Sequence, residues 1–352
     1  MMRSKQVLVS ALALGLLSLS LVPSMAQSGG VVNVYSSRHY GAIEKPFEAF
    51  TAATGIEVRV SQGSPQALLE RLRAEGEFSP ADLFLAVDAG VLSLAASEGL
   101  LQPAESEILS ANIAEPFRDP DNLWFALSRR PRAIVYNTEK VSADELSTYE
   151  DLADPKWADR LCLRPASHIY TISLVSSLVQ RLGEEQAEAV VAGWVANNPT
   201  YIDSDTRMIE NVAAGACDVA IVNQYYLSRL LNEKPDTVAN VALFWPNQGE
   251  GEGGVFYNVN AAGITKSAVN VREALAFLEY FSSLEGQAET DTGFPGSNFE
   301  YPTNLEAGIN PFVAQLGEPI FMTEFPLWQY GEFQAPSLDL LERTGYGMSE
   351  SN

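Results

Sequence analysis

The adjacent tyrosines Tyr225 and Tyr226 are the residues whose types and spacing most directly suggest chemistry. They follow the apolar run 219–222. Neighbouring side chains point to opposite faces of a strand and diverge by about 100° on a helix, so a single packing surface rarely accommodates both. A turn at the end of a strand would let two phenol oxygens meet at one hard cation. The alternative is that one ring packs in the core and the other covers it.

Two further tyrosines stand where a strand is expected to give way to a helix, and each has a histidine close by. The pair His39-Tyr40 follows the first predicted strand. Tyr170, with His168 two residues before it, follows an apolar run at 161–163. One tyrosine at such a junction is ordinary, because its ring is apolar and its hydroxyl is polar. Three junctions on the same side of a cleft would instead bring four phenols and one or two imidazoles together.

Four converging phenols favour one metal over the others. A phenol loses its proton near pH 10 in water, but a strongly charged cation can displace that proton. Phenolate is a hard anionic oxygen donor and suits Fe³⁺. Zinc and copper sites recruit His and Cys, and magnesium and calcium sites recruit carboxylates. The sequence therefore predicts Fe³⁺ as a bound ligand, and we expect no organic cofactor.

The charge of such a site calls for a positive partner. Four phenolates on one Fe³⁺ carry a formal charge of −1, which predicts an arginine nearby. The candidates are Arg38, Arg130 and Arg229, the last of which lies about one helical turn after Tyr225. Each of them, taken singly, has the alternative interpretation of a solvated surface arginine.

The elements that must position these residues alternate along the chain between short strand patterns and amphipathic helical patterns, which predicts the α/β class. A second alternating block begins near Thr148 and continues to the strand at 219–222. The predicted strands of the first block are 31–35, 56–60, 83–86, 124–127 and 133–137.

The length of the chain supports two lobes. About 325 residues remain once an export signal is removed, which is more than one hydrophobic core usually serves. Two α/β blocks predict two lobes, each a mixed, mostly parallel sheet flanked by helices, with a hinge and a cleft between them. In such sheets ligands lie beyond the carboxyl ends of the strands, where the tyrosine junctions are.

The N-terminal residues have the features of a cleaved export signal. Arg3 and Lys5 precede an apolar stretch at 7–22, and small residues follow up to Ala26. With no twin arginine and no cysteine after it, this pattern predicts Sec-type export of a soluble protein. Removing Arg3 and Lys5 leaves 20 of the 22 basic residues against 45 acidic ones, a net charge of −25. Such a surface repels nucleic acid and is otherwise typical of a well-solvated secreted protein.

Cys162 and Cys217 are the only cysteines of the chain. In an oxidising compartment an even pair suggests a disulfide. Both lie beside apolar strand-like runs, and adjacent strands would bring them into range. Two free buried thiols are the alternative.

The sequence carries no recognisable enzyme motif: Gly-x-Ser-x-Gly, His-Glu-x-x-His and the P-loop pattern are absent from it. We therefore expect a binding protein rather than an enzyme. The rival hypothesis is a protein of similar fold that binds a polyamine or another organic cation with aromatic walls and carboxylates. Its weakness is that the tyrosine junctions carry no paired Asp or Glu. An interaction protein with vestigial lobes is a third alternative.

Four segments around these tyrosines resemble one family: VYSSRHY at 34–40, AVDAG at 86–90, SDT at 204–206 and VAAGACDVAIVNQYY at 212–226. They are similar to the ferric-iron-binding periplasmic proteins of the FutA type, within the larger FbpA-like class of ABC-transporter substrate-binding proteins. The resemblance covers essentially all of the mature chain.

The resemblance implies a periplasmic-binding-protein fold with a discontinuous chain path. After a signal peptide of residues 1–26, the N-lobe would consist of residues 27–128 and 254–303. The C-lobe would consist of residues 129–253 and 304–352. It further implies a periplasmic monomer that captures Fe³⁺ and delivers it to an ABC-transporter permease in the inner membrane.

The resemblance also implies a ligand set. Tyr40 would come from the N-lobe, whereas Tyr170, Tyr225 and Tyr226 would come from the C-lobe. His39 matches a position that coordinates iron in some members of the family and swings away in others.

Two details separate this chain from parts of the family. Some FbpA-like relatives use a carboxylate and a captured phosphate in place of two of the phenols. Tyr40 and Tyr170 stand there in this chain, which suggests that iron is held without an obligate anion. Arg130 and Arg229 resemble, only loosely, the family positions that surround the metal ligands.

Overall fold

The computed structural model describes residues 29–38, 44–291 and 298–347. The predicted signal peptide, His39 and Tyr40 lie outside the described residues. The strands of the described part are β1 (Val31–Ser36), β2 (Glu57–Gln62), β3 (Leu83–Ala86), β4 (Leu101–Gln102), β5 (Phe125–Asn137), β6 (Leu161–Leu163), β7 (Thr200–Tyr201), β8 (Val219–Asn223), β9 (Val241–Phe244) and β10 (Tyr257–Thr265).

Helices pack against strands of both sheets, and short 3₁₀ helices lie between several of the elements. The α-helices of the described residues are α1 (Glu44–Thr54), α2 (Pro65–Glu75), α3 (Ala89–Ser97), α4 (Glu107–Asn112), α5 (Ile169–Leu182), α6 (Glu184–Ala196), α7 (Asp205–Ala214), α8 (Gln224–Glu233), α9 (Val271–Ser282), α10 (Leu284–Asp291), α11 (Pro311–Ala314) and α12 (Gln334–Arg343).

The strands are ordered β2-β1-β3-β10-β5-β8-β6-β7, and the long strand β5 belongs to both halves of this array. The first half of β5 pairs with β10, from Phe125 to Pro131. Its second half, from Arg132 to Tyr136, pairs with β8. Two sheets therefore share one strand. Through β5 the two lobes are joined by a continuous strand.

Both sheets are mixed. Parallel pairs link β1 to β2 and β3, and β6 to β7 and β8. The shared strand β5 and its neighbour β10 run antiparallel to the strands they contact. With helices packed on these sheets, the predicted α/β, two-lobed fold with mixed sheets is confirmed.

The prediction of separate strands at 124–127 and 133–137 is wrong, because residues 125–127 and 133–137 belong to the single strand β5. The polar run Ser-Arg-Arg-Pro-Arg at 128–132 lies between the two predicted pieces. Arg130 and Arg132 are nevertheless 0% and 2% exposed. Arg132 donates hydrogen bonds to the Ile221 carbonyl and to Asp205. These bonds replace the hydrogen bonds to water that the guanidinium group loses on burial.

The predicted disulfide is present between Cys162 and Cys217, whose Cα atoms are 5.7 Å apart. Cys162 lies in β6, and Cys217 lies two residues before β8. The two strands are parallel neighbours. The bond therefore fastens together the two strands that precede α5 and α8.

Along the described part of the chain, no helix combines the length and the hydrophobicity that a membrane crossing requires.

Candidate metal centre

Two neighbouring strand-to-helix junctions carry the three described tyrosines of the predicted site. Strands β6 and β8 are parallel, with Leu161 opposite Val219, so their carboxyl ends lie at the same edge of the sheet. After β6 the chain enters α5 with Tyr170 in its first turn, and after β8 it enters α8 with Tyr225 and Tyr226 in its first turn. The sequence order of the elements therefore places these side chains together.

Tyr170 is held at the start of α5 by a cap. His168 is the N-cap residue, and its Nδ1 atom accepts a hydrogen bond of 3.2 Å from the Tyr170 amide. The two rings meet edge to face with centroids 4.4 Å apart. Burial, and secondarily the positive charge of Arg164, lower the pKa of His168 to about 4. The imidazole is therefore neutral at neutral pH and keeps its acceptor nitrogen.

Tyr225 and Tyr226 lie in the first turn of α8. The sequence predicts them in a turn at the end of a strand, so this detail of the prediction is wrong. Their rings stack with centroids 4.2 Å apart and planes inclined by 30°. Tyr225 is fully buried and Tyr226 is half-buried. Stacking of this kind fits a packing role as well as a ligand role, so the positions of the hydroxyl groups carry the argument.

The hydroxyl groups of the two junctions converge. The Tyr170 and Tyr225 oxygens are 3.4 Å apart, although they start from different helices. The buried Arg130 of β5 donates a hydrogen bond of 3.2 Å from Nη1 to the same Tyr170 oxygen. Arg130 also donates to the carbonyls of Val87 and Val259. A rigid cation thus adjoins a pair of phenol oxygens.

Further guanidinium groups surround the aromatic rings. The Cζ atoms of Arg130, Arg132 and Arg164 lie 5.4, 5.5 and 5.5 Å from the centre of the Tyr170 ring. The Cζ atom of Arg229 lies 6.0 Å from the centre of the Tyr226 ring. These distances fall within the range of cation–π attraction.

A buried carboxylate, Asp205, compensates two of these cations. It is inaccessible to solvent and bonds Arg164 Nε at 2.6 Å and Arg132 Nη1 at 3.1 Å. Burial alone would raise the pKa of Asp205, but the attraction of Arg132 and Arg164 and the Asn223 amide hydrogen bond outweigh it and lower that pKa. The carboxylate therefore stays ionised beside the tyrosines.

The structure brings some of the predicted residues together and leaves others untested. Arg130 contacts Tyr170, and Arg229 faces Tyr226. The third candidate cation, Arg38, instead has its Nη2 atom 3.9 Å from the buried carboxylate of Glu300. Tyr40 and His39 lie outside the described residues.

Sequence reasoning missed Arg132, Arg164 and Asp205. One signal for Arg132 was available, because residues two apart in a strand share a face, and Arg130 was already a candidate. Asp205 directly follows the helix-capping Ser204, a position where a carboxylate is usually interpreted as part of the cap. Nothing local marks Arg164.

The donor chemistry at this place is that of phenols. Among the described residues, no group of three or more His, Cys, Asp or Glu side chains is arranged to hold a metal ion. A metal bound here would therefore rely on tyrosine oxygens, which select hard, highly charged cations once deprotonated.

A comparison with protein families assigns the chain. Residues 35–288 match the family of bacterial extracellular solute-binding proteins. The chain belongs to this family. This solute-binding protein is 41% identical over 321 residues to Iron uptake protein A1 of Synechocystis, covering 90% of this chain and 87% of that protein. It is 29% identical over 300 residues to the Major ferric iron-binding protein of Neisseria meningitidis, covering 84% and 86% of the two chains.

Solved structures show the same fold. This solute-binding protein matches FutA of Trichodesmium, in complex with iron and citrate, with a TM-score of 0.81 and 38% identity, over 90% of this chain and 100% of that chain. It matches a ferric binding protein from Campylobacter jejuni with a TM-score of 0.83 and 30% identity, over 90% and 99% of the chains. The resemblance predicted from the tyrosine motifs is confirmed.

Proposed function

We propose that this solute-binding protein captures Fe³⁺ with tyrosine phenolates in the cleft between its lobes and delivers it to an ABC importer. The 3.4 Å approach of the Tyr170 and Tyr225 hydroxyls carries the proposal. Two phenol oxygens this close can bind one small cation after they lose their protons. The relatives named for iron uptake and for ferric iron binding support the same cargo.

The proposed ligand set combines described and undescribed residues. Three phenolates come from Tyr170, Tyr225 and Tyr226, at the edge of the sheet where β6 and β8 end. Tyr40 supplies the fourth and His39 a further donor, both on the strength of the sequence. Tyrosines at these positions favour iron held without an obligate anion.

The surrounding arginines supply the charge balance that the ligands require. Four phenolates around Fe³⁺ leave one negative charge, and Arg130 donates directly to the Tyr170 oxygen. Arg229, over the ring of Tyr226, is a second partner. Because each phenolate must lose a proton before it binds, iron affinity should fall steeply in acid, and reduction to Fe²⁺ should weaken it further.

The proposed lobes are residues 27–128 with 254–303, and residues 129–253 with 304–352. A first crossing within β5 is supported by its pairing, because its residues up to Pro131 pair with β10 and its residues from Arg132 pair with β8. Closing the lobes over the metal would exclude water from the phenolates and strengthen their attraction to it. Opening them would release the cargo.

The cellular setting follows from the family and the export signal. We propose a monomeric periplasmic binding protein without enzymatic activity or an organic cofactor, which does not bind nucleic acid. Its partner would be the permease of an ABC transporter in the inner membrane. The acidic surface, with 45 Asp and Glu residues in the full chain, supports the exclusion of nucleic acid.

A colour test examines the proposed cargo. Purified protein given ferric citrate should turn orange-red, because phenolate-to-iron charge transfer absorbs visible light. Tyr226→Phe removes one phenolate, so the band should weaken or shift, and the affinity should fall by at least the roughly tenfold effect known for groups that only support a ligand. Absorbance titration with citrate as competitor measures both quantities.

The matched control is Tyr136→Phe, which removes a phenol from the far part of β5, where Tyr136 pairs with Val219 at the beginning of β8. It should leave the band and the affinity unchanged. A wild-type protein that stays colourless but binds a polyamine in calorimetry would support the rival cargo instead.

A further inference from the structure

The buried carboxylate of Asp205 joins the elements that carry the three described tyrosines. Its Oδ1 atom accepts a hydrogen bond of 2.6 Å from Arg164 Nε. Its Oδ2 atom accepts bonds of 3.1 Å from Arg132 Nη1 and 2.9 Å from the Asn223 amide. We call these four residues the Asp205 cluster. Asp205, Arg132, Arg164 and Asn223 are all at least nine-tenths buried.

Each partner in the Asp205 cluster leads to a tyrosine of the site. Arg164 directly follows β6, on the way to Tyr170 in α5. Asn223 is the N-cap residue of α8, immediately before the turn that carries Tyr225 and Tyr226. Arg132 also bonds Asn223 Oδ1 at 3.3 Å, so the junction of β8 and α8 is held twice.

The same cluster determines what the Tyr170 ring faces. Arg132 and Arg164 both place Cζ 5.5 Å from its centre. Two guanidinium groups so close to one ring repel each other, and Asp205 stands between them as their common counter-ion. Removing that negative charge would leave two buried cations free to separate, and the strand ends to which they are attached would move with them.

We propose that Asp205 is a positioning residue of the metal centre, which fixes the spacing between the Tyr170 junction and the Tyr225-Tyr226 junction. The inference rests on the proposed function, because a positioning role of Asp205 in metal binding requires that the tyrosines bind the metal. The hydroxyl separation of 3.4 Å across these junctions is the quantity that Asp205 maintains.

The neighbouring carboxylate provides the control. Asp203 bonds Nη1 of the same Arg164 at 2.6 Å, but its side chain is 72% exposed. Water and salt screen such a pair, so it contributes little to the geometry of the site. Asp205→Asn and Asp203→Asn each remove one carboxylate from Arg164. Only Asp205→Asn also alters the hydrogen bonds to the Asn223 amide and to Arg132.

The test compares these two variants with wild type in ferric citrate titrations. In competition with citrate, the affinity of Asp205→Asn for Fe³⁺ should be lower than that of wild type by about tenfold or more, the scale expected for groups that orient a ligand. Its charge-transfer band should also shift. Asp203→Asn should match wild type in both measurements. Circular dichroism and thermal unfolding of the iron-free proteins establish that the compared samples are folded.

The band position separates positioning from stability. A purely structural Asp205 would lower the unfolding temperature of the iron-free protein and leave the band and affinity of the folded fraction at wild-type values, which would overturn the proposal. If Asp205→Asn yields no folded protein, Arg164→Lys keeps the charge but loses the Nε bond to Asp205, and it should shift the band in the same way. An unchanged band and affinity there would overturn it equally. A colourless wild type would contradict the iron function itself, not this assignment alone.

Discussion

The ring of Tyr170 lies among the guanidinium groups of Arg130, Arg132 and Arg164, whereas Asp205 compensates only the last two. Arg130 donates instead to Tyr170 and to backbone carbonyls. The immediate surroundings therefore carry an excess of positive charge within a strongly acidic protein. That local excess suits a metal whose ligands are all anionic oxygens.

At the scale of one residue, His168 should make the iron-free protein less stable in mild acid. Its pKa is about 4 when folded, against about 6.5 when unfolded. As the pH falls, the unfolded chain takes up the proton first, so this contribution is present above pH 6.5 and is lost as the pH falls toward 4. The stability lost in this way between pH 7 and pH 5 amounts to about 2 kcal/mol.

The variant His168→Asn keeps a good helix cap and cannot take up that proton. Urea unfolding at pH 7 and pH 5 should therefore show a pH dependence smaller by about 2 kcal/mol than in wild type. His39 is present in both proteins, so its contribution cancels. Equal pH dependences in the two proteins would show that His168 is not held neutral.

The tyrosines of the proposed site could be selected from the sequence because two adjacent tyrosines conflict with ordinary packing and the others follow predicted strands. Two adjacent tyrosines and one tyrosine behind a histidine each follow an apolar run. The Asp205 cluster could not be found in this way. Its members are far apart in sequence, and polar residues such as Arg132 and Arg164 are expected at the surface unless their partners are known.

At the scale of elements, the disulfide and the β6–β8 pairing make one rigid platform for α5 and α8. Cys162 and Cys217 close a loop with a sequence separation of 55. A crosslink of this span stabilises the folded state by about 4 kcal/mol in the chain-entropy description. The double variant Cys162→Ala/Cys217→Ala should lose about that much in guanidinium unfolding.

Reduced wild-type protein is the matched control for the double variant, since it lacks the crosslink but keeps both sulfur atoms. The two should unfold at similar denaturant concentrations, below that of the oxidised protein. A double variant as stable as the oxidised protein would mean that the crosslink contributes nothing to folding.

The order and type of most elements followed from hydrophobic periodicity and helix caps. Helix α2 begins at Pro65 after Ser64, whose side chain accepts from the Ala67 amide. The sequence pattern predicts β5 as two pieces, with the polar run at 128–132 between them. Only the tertiary structure supplies the acceptors that allow Arg130 and Arg132 to stay inside a strand.

At the scale of the whole molecule, the buried carboxylate of Asp88 connects parts that the proposed lobe boundaries separate. It accepts hydrogen bonds from Asn258 of the proposed N-lobe and from Ser173 and Gln334 of the proposed C-lobe. Asp88→Asn would present an amide donor to groups that already donate. We expect a loss of about 2 kcal/mol in stability and a larger radius of gyration of the iron-free protein.

Asp82→Asn is the control for this change, because Asp82 is equally buried but, among the described residues, bonds within the proposed N-lobe alone, to Asn33, Val269 and Asn270. It should lower stability without changing the radius of gyration. Small-angle scattering and chemical unfolding measure the two quantities. An unchanged radius for Asp88→Asn would mean that Asp88 does not hold the lobes together.

The position of β10 in the sheet imposes an order on folding. It lies between β3 and β5, although β3 ends at Ala86 and β10 begins only at Tyr257. All four residues of β3 are buried in the finished protein. Until β10 is available, a nascent chain presents β3 as an unpaired apolar edge, which is prone to aggregation. Most of the polypeptide must therefore be synthesised before this edge of β3 can pair with its partner strand.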